Sequence, residues 1–374
     1  MTSRKVFAAP SGRNKAQADG RVRVLVTGSG YVAQHLVAAL TKKKEAVVMY
    51  THRREGVWTC EGAGALHMDI TDETSVAKAL WRSLPDVVVN TAAMASPKAC
   101  EADPEAATKT NCPLALLETM FAVVPDALFV QLSTDIVLGG DEAPYGDGGQ
   151  GVAAAATAID AARPVNAYGR SKLAFEKCLL AWPRCAILRC SNMVGPRAPF
   201  TGDGKFVQWL SSELSKGEPV DLWRDEIRSF VDVRAVVDGI LRVIELHAKR
   251  YEPADTKARA EALDAATKKP SELAFRDREA RRAYPPVFLH LNAGGPSPFS
   301  RLDLGRLVLQ ILEQQQQQDN ATLNSVSRAA AAGAALPYPS PLDVAMDSSN
   351  FERHLGLRPV PVVEAVRAAL RENN

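Results

Sequence analysis

The sequence predicts an α/β protein: a doubly wound, parallel sheet followed by a smaller C-terminal domain. Three observations predict it. An apolar strand, Arg21 to Thr27, runs straight into Gly28-Ser29-Gly30 and then into a helical pattern. Apolar strands and amphipathic helices alternate from there to Cys190, the pattern of parallel strands joined by crossover helices. Small and hydroxyl residues gather where strands end, at Thr91-Ala92-Ala93 and Ser133-Thr134, and such sheets bind ligands at the carboxyl ends of their strands.

The first turn, Gly28-Ser29-Gly30-Tyr31-Val32-Ala33, has the strand–turn–helix context in which G-x-G-x-x-G/A holds a dinucleotide. Gly28 permits the tight turn and Gly30 lets the backbone approach a pyrophosphate. Ala33 lets the helix pack close, and the helix N-terminus faces the phosphates. This makes a Rossmann-like domain the expectation for residues 21–192.

The second strand, Ala46 to Tyr50, leads to Thr51-His52-Arg53-Arg54. An acid about 20 residues beyond the glycines would hold a ribose diol. Here Arg53 and Arg54 come first, and guanidinium groups suit a 2′-phosphate, so NADP(H) is preferred over NAD(H). Ala65 to Met68 is a third strand closing on Asp69-Ile70, a lip for the adenine. Asp69 could equally help start the helix over 74–82. The fourth strand, Asp86 to Asn90, ends in Thr91, Ala92 and Ala93, which leave room for a ribose. A helix around Glu105 to Val123 carries Asn111. Strand five, Ala127 to Leu132, ends in Ser133-Thr134-Asp135. The Gly- and Asp-rich stretch from Gly139 to Ala162 reads as a loop and a candidate lid. Ala186 to Cys190 is the sixth strand, ending at Ser191-Asn192.

Tyr168-Gly169-Arg170-Ser171-Lys172 opens a helix, and residues four apart share a helical face. A cation beside a phenol favours the phenolate, so Lys172 is expected to lower the Tyr168 pKa and make it a proton donor or acceptor near neutrality. By itself the spacing is common; its neighbours give it meaning.

Residues 1–20 read as a disordered tail. Residues 226–248 are expected to pack back on the first domain, and 193–225 with 286–374 to form a substrate-binding domain. Residues 249–285 and 313–336, Ala-, Lys-, Glu- and Gln-rich, read as low-complexity insertions. The 45 basic and 43 acidic residues nearly balance, with no basic stripe, so no nucleic-acid partner is implied. No apolar run reaches the ~20 residues of a membrane span. Six cysteines without CxxC spacing look like reduced thiols, so neither a disulfide framework nor a metal site is expected, and the location is read as cytoplasmic. A homodimer is the expected assembly.

The ordered set Asp86-Val-Val-Val-Asn90, Ser133-Thr134-Asp135, Pro164-Val-Asn-Ala-Tyr168-Gly-Arg-Ser-Lys172, Ile187-Leu-Arg189 and Pro341 to Asp347 resembles the extended short-chain dehydrogenase/reductase superfamily. Within it the chain is most similar to the RmlD-type group, the dTDP-4-dehydrorhamnose reductases and their relatives. The resemblance implies Thr134 as catalytic hydroxyl, Tyr168 as proton donor, Lys172 as the lysine that holds the nicotinamide ribose, and Asn111 as organiser of that lysine and its water. It implies substrate contacts at Met94, Asp135, Asn192 and Arg228, and a nucleotide-linked 4-keto sugar as substrate. Three features depart from the group. The glycine turn is shorter than GxxGxxG, Asn192 stands where an aromatic residue is usual, and Arg228 to Val233 is closer to a general reductase or epimerase. Two other readings stay open. One is an NADP-binding regulatory subunit similar to the β subunit of methionine adenosyltransferase, acting on a partner enzyme. The other is an epimerase or dehydratase.

Overall fold

The computed structural model describes residues 21–248, 286–314, 321–329 and 338–371. The expected tail at 1–20, the insertion at 249–285 and most of the Gln- and Ala-rich runs lie outside the described residues.

The first half alternates as its sequence pattern requires. It runs β1 (Val22–Thr27), α1 (Tyr31–Lys43), β2 (Ala46–His52), β3 (Ala63–His67), α2 (Glu73–Ser83), β4 (Val87–Asn90), α3 (Pro97–Ala102), α4 (Pro104–Asn111), α5 (Leu114–Val123) and β5 (Leu128–Thr134). The expected single helix from Glu105 to Val123 is two helices. Pro113 cannot donate a backbone hydrogen bond, and α4 closes at Cys112 before α5 begins. Next come β6 (Gly149–Gln150), α6 (Val152–Ala161), α7 (Ala167–Leu179), β7 (Arg184–Cys190), β8 (Met193–Val194), α8 (Phe206–Leu214) and β9 (Val220–Trp223). The chain continues through β10 (Ile227–Arg228), β11 (Val231–Asp232), α9 (Val233–His247), β12 (Val287–Ala293), β13 (Phe299–Ser300), α10 (Arg301–Gln314), β14 (Leu323–Val326), α11 (Ser349–Leu355) and α12 (Val362–Leu370).

Eight strands form one sheet in the order β3-β2-β1-β4-β5-β7-β12-β6, parallel except for β6 at the far edge. Alternate residues of each strand feed opposite cores, which is why the strands read as unbroken apolar runs. Val24, Val26, Val87, Val89, Leu128 and Val130 face α1, α9 and α11, whereas Leu25, Val88 and Phe129 face α2, α5 and α7. The expected packing of the 226–248 segment on the sheet is seen in α9, through Val236, Ile240 and Val243.

Three expectations need correcting. Residues 139–162 are not a free lid: β6 pairs with β12, and α6 buries Ala155 and Ile159 in the sheet's core. The stretch is Gly-rich because the chain turns tightly there, and its Ala-rich half is a packed helix. Residues 286–374 do not all lie in the substrate-binding region, because β12 hydrogen-bonds along β7 in the main sheet and α11 packs against that sheet. Within 313–336, β14 pairs with β9, so part of that segment is structured. A separate apolar core, built by α8, β9, α10 and α12 around Leu210, Leu214, Leu304, Val308 and Val366, lies to one side. Among the described residues no helix is long and apolar enough to cross a membrane, and no cluster of metal-ligating side chains occurs.

Candidate active site

The glycine turn lies at the carboxyl end of β1, where Gly28 takes φ +89°, a conformation L side chains resist. A Cβ on Gly28 would meet the Ala92 Cα and N at 3.1 Å, so the turn also depends on close approach to the chain leaving β4. The Gly28 N–H donates to Thr51 Oγ1 at 2.9 Å, tying the turn to the end of β2. Gly30 caps α1 with no side-chain cap, and a Cβ there would meet nothing within 4 Å. An uncapped helix N-terminus opening on unfilled space fits a pyrophosphate.

Most of the other predicted cofactor residues follow the carboxyl ends of β1 to β4. The carbonyl of Ser29 accepts from Trp58 Nε1 at 2.9 Å, and the Tyr31 hydroxyl donates to the Pro196 carbonyl at 2.6 Å. Val32 packs against the buried cluster of Tyr31, Ala198 and Val233. Arg53 and Arg54 are exposed just after β2. Asp69 accepts from the Thr71 N–H and hydroxyl. Burial would raise its pKa, but those bonds and the charges of Arg53 and His67 outweigh it and hold the carboxyl below its usual range. Ile70 is buried beside it. Thr91 donates through its hydroxyl to the Thr27 carbonyl at 2.6 Å, and Ala93 is exposed.

The catalytic candidates come together on β5 and α7. Asn166 caps α7 by accepting from the Gly169 N–H at 2.9 Å. A side chain at Gly169 would strike the Ile136 carbonyl, so the glycine lets α7 lie against the turn that leaves β5. That contact brings the Tyr168 phenol close to the Thr134 side chain. Lys172, one helical turn on, is buried and donates from Nζ to the Leu132 carbonyl at 2.6 Å.

The electrostatics differ from the expectation that Lys172 lowers the phenol pKa. Burial pushes the Tyr168 phenol up, reinforced by nearby Asp135, and the Thr134 bond only partly opposes it. Lys172 is itself pulled down to about 8, first by burial, with Glu176 working the other way. Sequence spacing places the two on one face but says nothing of how dry that face is. Asn111 Oδ1 accepts from the Met94 N–H at 2.8 Å and its Nδ2 donates to Ser171 Oγ at 2.9 Å, so it clamps the loop after β4 to α7 and makes no bond to Lys172.

Two predicted substrate contacts are occupied by the protein. Asp135 is buried, accepting from Ser191 Oγ at 2.8 Å and Thr134 Oγ1 at 3.2 Å, and burial raises its carboxyl pKa. It braces the site from beneath instead of reaching into it. Arg228 donates to the carbonyls of Ile227, Leu342 and Pro341 at 2.7, 2.9 and 3.0 Å, while its buried Nε has no protein partner. Met94 and Asn192 are partly exposed at the ends of their strands.

Two features were not singled out in the sequence. Behind Lys172, Glu176 holds Arg189 at 2.7 Å, accepts from Ser133 Oγ at 2.5 Å and lies 3.6 Å from His290 Nε2, all of them buried. Glu176 is one turn beyond Lys172, and a charge at that spacing on an otherwise apolar helix face was the available signal. Beyond Asp135, three guanidinium groups, those of Arg228, Arg301 and Arg328, converge on the buried Glu226 at 3.4, 3.3 and 3.1 Å. Arg301 and Arg328 are distant from Glu226 in sequence, and no local pattern joins them to Arg228. The cluster carries more positive than negative charge.

A profile described as the NAD dependent epimerase/dehydratase family matches residues 24–255. The chain belongs to this family. Within the NAD dependent epimerase/dehydratase family its relatives include the probable low-salt glycan biosynthesis reductase Agl14 of Haloferax volcanii, 32% identical over 206 residues, 54% of this chain and 63% of the relative. The dTDP-4-dehydrorhamnose reductase of Mycolicibacterium smegmatis is 27% identical over 229 residues, 60% of each chain. The methionine adenosyltransferase 2 subunit beta of Danio rerio is 28% identical over 181 residues, 46% of this chain and 48% of that one. The matches thus span less than two thirds of these curated relatives. Among solved structures, a dTDP-4-dehydrorhamnose reductase from Bacillus anthracis in complex with NADP superposes with a TM-score of 0.65 at 17% identity, over 94% of this chain and 99% of that one. At that identity the likeness bears on the fold.

Proposed function

We propose that this chain is an NADP-dependent reductase of a nucleotide-linked 4-keto sugar. The observation that carries the reading is the grouping of Thr134, Tyr168 and Lys172 at the carboxyl end of β5, on the sheet edge that also carries the Gly28 turn. The relatives named as reductases support it. Arg53 and Arg54 at the end of β2 favour the 2′-phosphorylated cofactor.

When bound, the reduced nicotinamide would supply a hydride to the C4 carbonyl carbon. Tyr168, kept protonated by its raised pKa, gives its proton to the oxygen as negative charge develops there. Thr134, whose one hydroxyl hydrogen is directed at Asp135 in this structure, turns it to the same oxygen as the charge develops. Lys172 holds the ribose and keeps positive charge close to the phenolate that remains until solvent returns a proton. Asp135 and Ser191 hold Thr134 in place. Arg301 and Arg328, partly exposed beside the buried Glu226, would supply positive charge for the anionic nucleotide linkage of the substrate.

A second reading has its own support. The zebrafish relative is named as a subunit of another enzyme, and the Lys172 ammonium here is engaged by Leu132. A binding protein of this kind would keep the cofactor crevice and act through a partner. NADPH oxidation with dTDP-4-dehydrorhamnose, beside Tyr168→Phe and an NADPH titration, separates the two. Turnover lost in the variant supports the reductase. Tight binding without turnover on any 4-keto nucleotide sugar overturns it in favour of the regulator.

A further inference from the structure

Cys112 and Cys178 lie outside the machinery described above, yet their sulfurs face each other at 4.0 Å. Both are free thiols, both are partly buried, and they come from segments far apart in the chain. Cys112 follows the last residue of α4 and precedes Pro113, so it belongs to neither α4 nor α5. Cys178 is in the last turn of α7. The chain tightens there: the Leu180 and Ala181 N–H groups donate to the carbonyls of Lys177 and Cys178, each at 3.3 Å and three residues back. Both cysteines thus sit at element ends, where a small backbone shift disturbs few hydrogen bonds.

The two segments are already joined close by. Asn111 Nδ2 donates to Ser171 Oγ at 2.9 Å, and Asn111 is the chain neighbour of Cys112. Ser171 and Cys178 are seven residues apart on α7, two helical turns, and so share a face. The sulfur contact is therefore a second point on one seam, and the hydrogen bond holds the two segments in place. A disulfide needs its sulfurs about 2.05 Å apart, so closure asks this pair to approach by about 2 Å. The other cysteines are differently placed. Cys100, Cys185 and Cys190 are buried, and Cys60 Sγ lies against Thr41 Oγ1 at 3.7 Å.

We propose that Cys112 and Cys178 are a redox modification site, a dithiol that hydrogen peroxide closes to a disulfide, stapling the α4–α5 turn to the helix that carries Tyr168 and Lys172. Two thiols and one peroxide give one disulfide and two molecules of water. Burial, with the facing sulfur adding to it, raises the Cys112 thiol to about 12. Cys112 is therefore protonated at neutral pH, and the first attack falls to Cys178. Its thiolate attacks a peroxide oxygen and the O–O bond breaks, leaving a sulfenic acid. The hydroxide released takes up the proton the thiol gave away, as the first water. Cys178 is then uncharged, which removes its part in holding the Cys112 proton. The Cys112 sulfur displaces hydroxide from the Cys178 sulfur, and its proton leaves with that hydroxide as the second water. A thiol reductant reverses the bond. Closing the long stretch of chain between residues 112 and 178 restricts the unfolded state and so favours the folded one. The inference is independent of the cofactor and substrate assigned above.

The test oxidises the full chain with hydrogen peroxide, maps its peptides without reduction and follows its thermal unfolding. Wild type, Cys112→Ser and Cys178→Ser are compared, each checked by circular dichroism in the reduced state. The expected result is a Cys112–Cys178 linked peptide in the wild type that dithiothreitol removes. The unfolding midpoint should be roughly 3–6 °C higher while the bond is present. Both serine variants should show neither effect. Oxidation of the wild type that leaves both thiols free, links other cysteines or carries Cys178 on to a sulfinic acid overturns the site. A linked peptide whose bond leaves the midpoint unchanged or lowers it overturns the staple.

Discussion

The Lys172 ammonium donates to the Leu132 carbonyl at 2.6 Å, and that carbonyl is the end of a buried polar row crossing the sheet. Thr27 Oγ1 donates to Asn90 Oδ1 at 2.5 Å, Asn90 Nδ2 to Gln131 Oε1 at 2.8 Å, and Gln131 Nε2 to the same Leu132 oxygen at 2.5 Å. The row thus links the strand that feeds the glycine turn with the lysine of the proton-donor pair. It replaces water as the partner of a buried cation.

Lys172 should therefore set the alkaline limit of activity. Its pKa is drawn down to about 8 and the Tyr168 phenol is pushed up, so the lysine loses its charge first as pH rises. We expect kcat/KM to fall above about pH 8, and any residual activity of Lys172→Arg to hold to higher pH. The measurement is a pH profile of both proteins. A wild-type limb unchanged by the substitution would assign it elsewhere.

The same lysine makes a signed contribution to stability. Its folded pKa lies below its unfolded value of 10.5, so the folded state binds fewer protons between the two values. The cost of burying the charge is full below about pH 8 and is relieved as pH rises from there toward 10.5. Urea unfolding of wild type and Lys172→Met across this range should show the wild type gaining relative to the variant. A constant difference would contradict the burial.

Breaking the Glu176–Arg189 pair should be costly. Both side chains are buried, and removing one partner leaves an uncompensated charge, worth about 3–5 kcal/mol in such cases. Glu176→Gln should be destabilised by an amount in that range. Replacing both residues, Glu176→Leu with Arg189→Met, should recover much of the loss. The double-mutant cycle in denaturant unfolding measures the coupling directly.

Gly28→Ala should damage fold and cofactor binding together. It forces a side chain into φ +89° and to within 3.1 Å of the Ala92 backbone. The conformation alone costs about 1–2 kcal/mol. Gly30→Ala, which meets nothing within 4 Å, should leave stability within about 1 kcal/mol of wild type while weakening NADPH binding. Paired unfolding and titration experiments separate the two effects.

Arg328→Met should raise KM for a nucleotide-linked substrate by roughly tenfold with a smaller change in kcat, because it removes one of three cations from the Glu226 cluster. Added salt should narrow the difference. A change confined to kcat would place Arg328 outside substrate binding.

Much of the molecule was legible before any coordinates because its signals are local. The glycine turn, the Tyr168 and Lys172 spacing and the alternation of strand and helix each depend on residues within one or two turns of one another. The division of Glu105 to Val123 into two helices was equally local, written in Pro113, and the periodicity of the flanking residues masked it.

By itself, then, the sequence determined the doubly wound sheet and the strand ends that carry its candidate site, because strand ends and helix faces follow from short-range pattern. Only the tertiary structure decided what those side chains experience. It placed β12 beside β7 across about a hundred residues of chain, buried Lys172 against Leu132, and closed Arg228, Arg301 and Arg328 around Glu226. It also turned Asp135 away from the crevice to hold Ser191. Charge state and partner depend on burial and on neighbours far along the chain, and both are set by sheet register and helix packing.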